Sequence, residues 1–205
     1  STLLASSAAS DVYKRQFHDE GATGLPALSA YTGMVFRHIA PQDFTAEDWA
    51  YAQSHLFITS FLYGLLRPAD RIRNYRLEGH VRLPEKEDRT LFAYWRARLT
   101  DVFISAIRQQ GGILVNLASA EMKNLFDWTR VTREVRVITP DFYTYKGGRL
   151  STVVVYAKMC RGEMTRFILK NRIENPEDLK TFEWEGYRFN PRESHDDHWV
   201  FTPGT

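Results

Sequence analysis

The stretch Val153-Val-Val-Tyr-Ala-Lys-Met-Cys-Arg-Gly-Glu-Met-Thr-Arg-Phe167 constrains the fold of this chain more than any other. It opens as a β-branched run and continues with helical spacing of its apolar residues, so a strand is expected to pass into a helix near Tyr156. Such a joint places side chains at the carboxyl end of a sheet, where α/β folds usually keep their sites. At about 100° per residue, Lys158, Arg161 and Thr165 fall within roughly 60° of one another, while Met164, Phe167 and Ile168 point toward a core. Tyr156, Lys158, Arg161 and Arg166 crowd the joint beside the small Gly162, a grouping that suits an anionic ligand. A solvated helix face would carry the same residues.

The chain has 205 residues, of which 43% are hydrophobic and 14% aromatic, enough to build one well-packed domain. It contains no run of about 18 apolar residues, so no membrane-spanning helix is expected. A single cysteine, Cys160, excludes an intramolecular disulfide framework and fits a reducing cytoplasm. The formal charge is only +2, so any nucleic-acid binding must rest on local patches. Residues 1–16 stand apart. Ser1 to Ser10 is a small-residue, low-complexity stretch without the shape of a secretory signal. Asp11-Val-Tyr-Lys-Arg-Gln16 resembles translated adapter read-through, so residues 1–16 are expected to be an artefactual leader and residues 17–205 one domain.

A short strand is expected near Ala27–Tyr31. Thr45-Ala-Glu-Asp48 is a capping-box pattern, followed by Trp49, Ala52 and Leu56, which predicts a helix from about Ala46 to Leu62, stopped by Gly64. An extended piece spans Leu77–Leu83. Asp88 can cap a long helix over Arg89–Gln110, ended by Gly111-Gly112. Ile113–Asn116 reads as a buried strand, and Ser119 as the cap of a brief helix running to Trp128. Strands are expected over Glu134–Thr139 and Phe142–Tyr145, then a hairpin through Lys146-Gly-Gly148 into Leu150–Tyr156. A helix over Ala157–Arg172 is closed by Asn175-Pro176, and the tail, including Trp184–Phe189 and Trp199–Phe201, reads as short strands and loops. The sum is an α/β domain, or α+β, with a mixed sheet and flanking helices.

A second basic-aromatic stretch is Phe61-Leu-Tyr-Gly-Leu-Leu-Arg-Pro68. A helix followed by a tight glycine turn is the pattern of a helix-hairpin-helix, whose backbone N–H groups face a phosphate. From Arg67 to Arg82 there are five Arg against Asp70 and Glu78. Arginines that complement a helix dipole would look the same. Asn116-Leu-Ala-Ser119, followed by Glu121, lies just after a strand, and if that strand neighbours the joint then Asn116, Ser119, Lys158 and Arg161 line one cleft. Ser119 with Lys158 could be nucleophile and base, or the cleft could cradle a phosphate or a nucleobase. His195-Asp-Asp-His198 has metal-like chemistry but no third ligand in reach, so a solvated loop is favoured over a metal site. No P-loop, G-x-G-x-x-G, H-E-x-x-H or paired-Cys motif occurs, and no cofactor is expected. Lys158 and Arg161 would lower the pKa of an exposed Cys160. Its helical direction makes it a buried, inert thiol instead.

Taken together, the strings Leu62-Tyr-Gly-Leu-Leu-Arg-Pro-Ala-Asp70 with Tyr75-Arg-Leu-Glu78, Asn116-Leu-Ala-Ser119 with Glu121, Tyr156-Ala-Lys158 with Arg161-Gly162, Met164 and Arg166-Phe167, and Glu185-Gly-Tyr187 resemble the YaaA peroxide-stress family in order and spacing from about Tyr31 to Phe189. The resemblance implies a cytoplasmic protein, induced by hydrogen peroxide, that limits damage to DNA and proteins by restraining free iron. It also implies duplex DNA binding through a helix-hairpin-helix-like element and a positively charged cleft. Carried over by position, the DNA-binding set is Tyr63, Gly64, Arg67, Arg76, Asn116, Ser119, Lys158, Arg161 and Arg166. The alternative is an enzyme acting on a nucleotide or nucleobase-like substrate with Ser119, Lys158 and Glu121. Two features depart from the family. The Ser-Pro-Ala-Lys-Thr-Leu-like opening of its members is missing, so residues 17–205 are expected to lack an N-terminal part. Met159-Cys160 stands where Lys-Ala is usual.

Overall fold

The computed structural model describes residues 24–84 and 89–204. Residues 1–16 and Asp88 lie outside them. Among the described residues, five α-helices of six residues or more frame the fold: α1 (Met34–Ile39), α2 (Ala46–His55), α3 (Leu91–Gln109), α4 (Trp128–Glu134) and α5 (Val154–Asn171). The main sheet is built from β1 (Ile113–Val115), β2 (Arg136–Phe142), β3 (Glu183–Trp184), β4 (Tyr187–Phe189) and β5 (His198–Pro203), in the order β3-β4-β5-β2-β1. Strands β1, β2 and β5 run parallel, while β3 and β4 are antiparallel, so the sheet is mixed as expected and the fold is mixed α/β. Its centre is β5, from the tail, where Trp199, Val200 and Phe201 are buried. Their continuous apolar run fits a strand covered on both faces.

The capping box forms as the sequence predicts. The Asp48 amide donates to the Thr45 hydroxyl at 3.2 Å, and the Thr45 amide donates to the Asp48 carboxylate at 3.0 Å. The helix it starts ends earlier than expected, however, at His55 rather than Leu62. Leu56 is already extended, and Ile58–Ser60 pairs antiparallel with Gly64–Leu66. The stretch expected to form a helix-hairpin-helix is therefore a β-hairpin at this point. The run Phe57-Ile58-Thr59 prefers the pleated conformation, and Gly64, at φ 78°, supplies a left-handed residue where the second strand begins. The expected strand at Ala27–Tyr31 is instead one helical turn, Ala27–Ala30, entered through Pro26. Thr90 caps α3, its hydroxyl accepting from the Ala93 amide at 3.2 Å.

The expected passage of a strand directly into a helix is also different. The hairpin strand Arg149–Ser151 stops after three residues, and Val154, Val155 and Tyr156 form the exposed first turn of α5. The two residues between Ser151 and Val154 belong to no strand, and valine costs a helix only about half a kcal/mol relative to alanine. Helix propagation from the well-packed Ala157–Leu169 segment therefore extends backward through the valines.

Three buried clusters hold these elements. One surrounds α3 through Leu99, Phe103, Ile104 and Ile107; the second joins the sheet to α5 through Ile138, Cys160, Met164 and Phe201. The third gathers α2 and the first hairpin around Leu28, Ile58, Leu66 and Leu169. Helices α1 and α5 meet closely at Gly162, where an added Cβ would lie 2.3 Å from the Val35 carbonyl oxygen and 2.5 Å from the His38 Cβ. Glycine is needed there for close approach. Gly162→Ala is expected to lower stability by about 1–3 kcal/mol, read as a lower denaturant midpoint with an unchanged slope.

Candidate functional site

Helix α5 carries its basic residues in two functional states. Toward its carboxyl end they are locked. The Arg166 guanidinium donates to the carbonyls of Ile39 and Ala40, both at 3.1 Å, and forms a two-armed pair with Asp43. Lys170 donates to Asp48 at 2.8 Å, and Arg172 reaches the other oxygen of Asp48 at 3.3 Å. Arg166, expected in the cleft, is thus spent on holding α5 to the loop after α1. The Arg166 hydrogen bond is the main cause holding the Asp43 carboxyl below its ordinary range, and the Lys170 hydrogen bond does the same for buried Asp48.

Toward its amino end α5 is open. Lys158 is exposed and Arg161 half-buried, and neither forms an ion pair among the described residues. Both line a cavity of about 910 Å³, together with Asn116 and Ser119 from the segment following β1. The four residues expected to share a cleft do so. Asn116 follows β1 and is only 7% exposed; its backbone amide donates to the Ile138 carbonyl at 2.8 Å. Its side-chain amide makes no hydrogen bond among the described residues. Ser119 stands at the N-cap of the turn Ala120–Leu125, but its hydroxyl makes no capping bond, contrary to the capping role expected of it. Lys123, which the sequence did not single out, also lines the cavity, its ammonium 5.3 Å from the centre of the Trp128 ring. Most of the remaining wall is apolar and aromatic, including Phe57, Phe103, Phe126 and Trp128.

The other candidate residues lie elsewhere. The Tyr63 hydroxyl accepts from the Arg73 amide at 3.1 Å, and the Tyr63 amide donates to the Ser60 hydroxyl at 2.9 Å. A Cβ on Gly64 would lie 2.8 Å from the Trp95 ring. Arg67 stacks over Phe57 at 3.7 Å and donates to the Ser54 carbonyl, and burial lowers its pKa. These three are occupied inside the fold, whereas Arg76 is exposed. Glu121 is exposed and outside the cavity wall, and Ser119 and Lys158 make no hydrogen bond to each other, so the nucleophile-base arrangement is not assembled. The His198 Nε2–H donates to the Asp141 carboxylate at 2.8 Å, and Asp197 pairs with Arg136 at 2.7 Å, which uses the His195–His198 segment as a tied turn. Among the described residues no cluster of three metal-ligating side chains occurs, and no helix is long and apolar enough to cross a membrane. Cys160 is fully buried, and burial pushes its thiol up to about 12.

The lock on α5 has a pH signature. Asp43 and Asp48 titrate lower in the folded chain than in the unfolded one, near 3.9. Their contribution is therefore present above that value and lost as pH falls through the folded ones. Acidification from pH 7 to pH 3 is expected to reduce the denaturant midpoint more in the native chain than in Asp48→Asn.

Comparison with known proteins identifies the family of the chain. The family model described as peroxide stress protein YaaA matches residues 2–193. A UPF0246 protein of Bacteroides fragilis is 63% identical over 188 residues, which is 92% of this chain and 73% of the relative. One from Bacteroides thetaiotaomicron is 62% identical over 194 residues, covering 94% and 76%. A more distant one from Desulfotalea psychrophila is 35% identical over 188 residues, covering 92% and 73%. On a match of this extent and at these identities, the chain belongs to the peroxide stress protein YaaA family.

Proposed function

We propose that this protein binds duplex DNA in the peroxide-stress response, through the unpaired cations Lys158 and Arg161, and so helps to limit iron-dependent oxidative damage in the cytoplasm. The observation that carries the proposal is the contrast along α5. Arg166, Lys170 and Arg172 each have a carboxylate partner, whereas Lys158 and Arg161 have none among the described residues. Cations left unpaired side by side raise one another's energy unless an anion is supplied. Lys123 and exposed Arg76 add positive charge that the fold does not neutralise with a carboxylate. Ser119 supplies a free hydroxyl donor for phosphate oxygen. Family membership supports the stress role, and the near-neutral total charge of +2 makes the local charge the source of any affinity.

Phosphate contacts of this kind are independent of base sequence and release counterions, so affinity falls with salt. In a mobility-shift titration, the double variant Lys158→Ala/Arg161→Ala is expected to weaken duplex binding and to flatten the log–log salt slope by about two. Arg166→Ala is expected to leave the slope as it is and to lower the unfolding midpoint. A double variant with the native slope would refute the proposed interface.

A further inference from the structure

We infer that the cavity holds one nucleotide unit, with its phosphate outermost at Lys158 and Arg161 and its base innermost at Asn116. The inference rests on the reading of this cavity as the anion site, and it adds what the anion is attached to.

Phosphate on the outside of a duplex needs surface cations and nothing behind them. Here the cations stand in front of a volume of about 910 Å³, within the range of sites that enclose small organic ligands. Polarity changes with depth. Lys158 and Ser119 are exposed, Arg161 is half-buried, and Asn116 is 7% exposed. A ligand that satisfies this order carries its negative charge at one end and neutral hydrogen-bonding groups at the other.

Asn116 narrows the class further. Asn116 is only 7% exposed, yet its amide has no partner among the described residues and its polar atoms are not sealed in, so they open onto the cavity that the residue lines. It presents an N–H donor beside a carbonyl acceptor. The complementary edge is a donor next to an acceptor, as adenine offers. Half-buried Trp128 adds an aromatic ring to the same wall, alongside buried Phe126, whose ring stacks on Phe103, and suits a flat heterocycle. Inorganic phosphate would leave the amide and the rings unused, and a fatty acid would leave the amide unused. A nucleotide engages all of them, with the free Ser119 hydroxyl at the outer end beside the phosphate.

Two sources supply that chemistry, a free mononucleotide or a nucleotide turned out of a DNA strand. Eversion is cheapest where the base is already mispaired. The full chain is titrated by fluorescence anisotropy with a matched duplex and with the same duplex carrying one central mismatch. In parallel, thermal shifts are measured with adenosine monophosphate, ribose 5-phosphate and inorganic phosphate. A mismatched duplex bound at least tenfold tighter than the matched one supports the inference with DNA as the source. Protection by adenosine monophosphate at concentrations at least tenfold below ribose 5-phosphate, without a mismatch preference, supports it with the free nucleotide as the source. Asn116→Leu is expected to erase whichever preference is found; the comparisons on the native chain decide the matter even if that variant does not fold. If matched and mismatched duplexes bind alike and the base adds nothing to ribose 5-phosphate, the inference is overturned while the DNA interface stands. If no phosphate compound and no duplex binds, both are overturned.

Discussion

The contact between α1 and α5 at Gly162 is the constraint on which the rest of the structure depends. Only a residue without a Cβ lets the α5 backbone come this close to the Val35 carbonyl. That approach fixes the distance at which Arg166 finds the carbonyls of Ile39 and Ala40 and the carboxylate of Asp43. It also brings Lys170 and Arg172 to Asp48, which is already oriented by the capping box at the start of α2. A helix cap, an ion network and a helix crossing therefore share one carboxylate. Buried ion pairs gain little net free energy over apolar packing but are costly to break on one side, so the network sets geometry more than it adds stability.

The same helix presents the opposite electrostatic face one turn past the crossing. Its carboxyl half is neutralised by acids from α2 and the preceding loop, and those acids do not reach its amino half. The result is a gradient of unmet charge along one rigid rod, with the unmet end beside the opening of the cavity. The site needs no special loop to create it. It arises because the partners that neutralise one end are anchored by the crossing and cannot serve the other.

Local signals in the chain were legible and long-range ones were not. Thr45 and Asp48 announce a helix start because both halves of a capping box lie within four residues. Gly111-Gly112 and Gly147-Gly148 announce a helix end and a hairpin for the same reason: each takes a positive φ that its neighbours need. The role of Gly162 depends on Val35, and that of Arg166 on Asp43, each more than a hundred residues away. Neither separation leaves a trace in local spacing. The hairpin at Ile58–Leu66 was hidden because its apolar residues also satisfy helical spacing, and pairing with Gly64–Leu66 decides the outcome. The central strand β5 was under-read because the tail around it is polar. Asn116, Ser119, Lys158 and Arg161 could be grouped from sequence because each follows a recognisable element end. The helix start, though, lies three residues earlier than the joint foreseen.

The position of Cys160 gives the site a chemical property of its own. It lies two residues from Lys158 and directly before Arg161, yet it is fully buried against the sheet, and burial pushes its thiol up to about 12. Peroxide attacks the thiolate, and an inaccessible thiol with that titration holds almost none at neutral pH. Desolvation is the main cause of that shift, and the Glu163 carboxylate pushes the same way. Since this is the one cysteine in the sequence, the charged end of α5 carries basic side chains without an accessible thiol beside them.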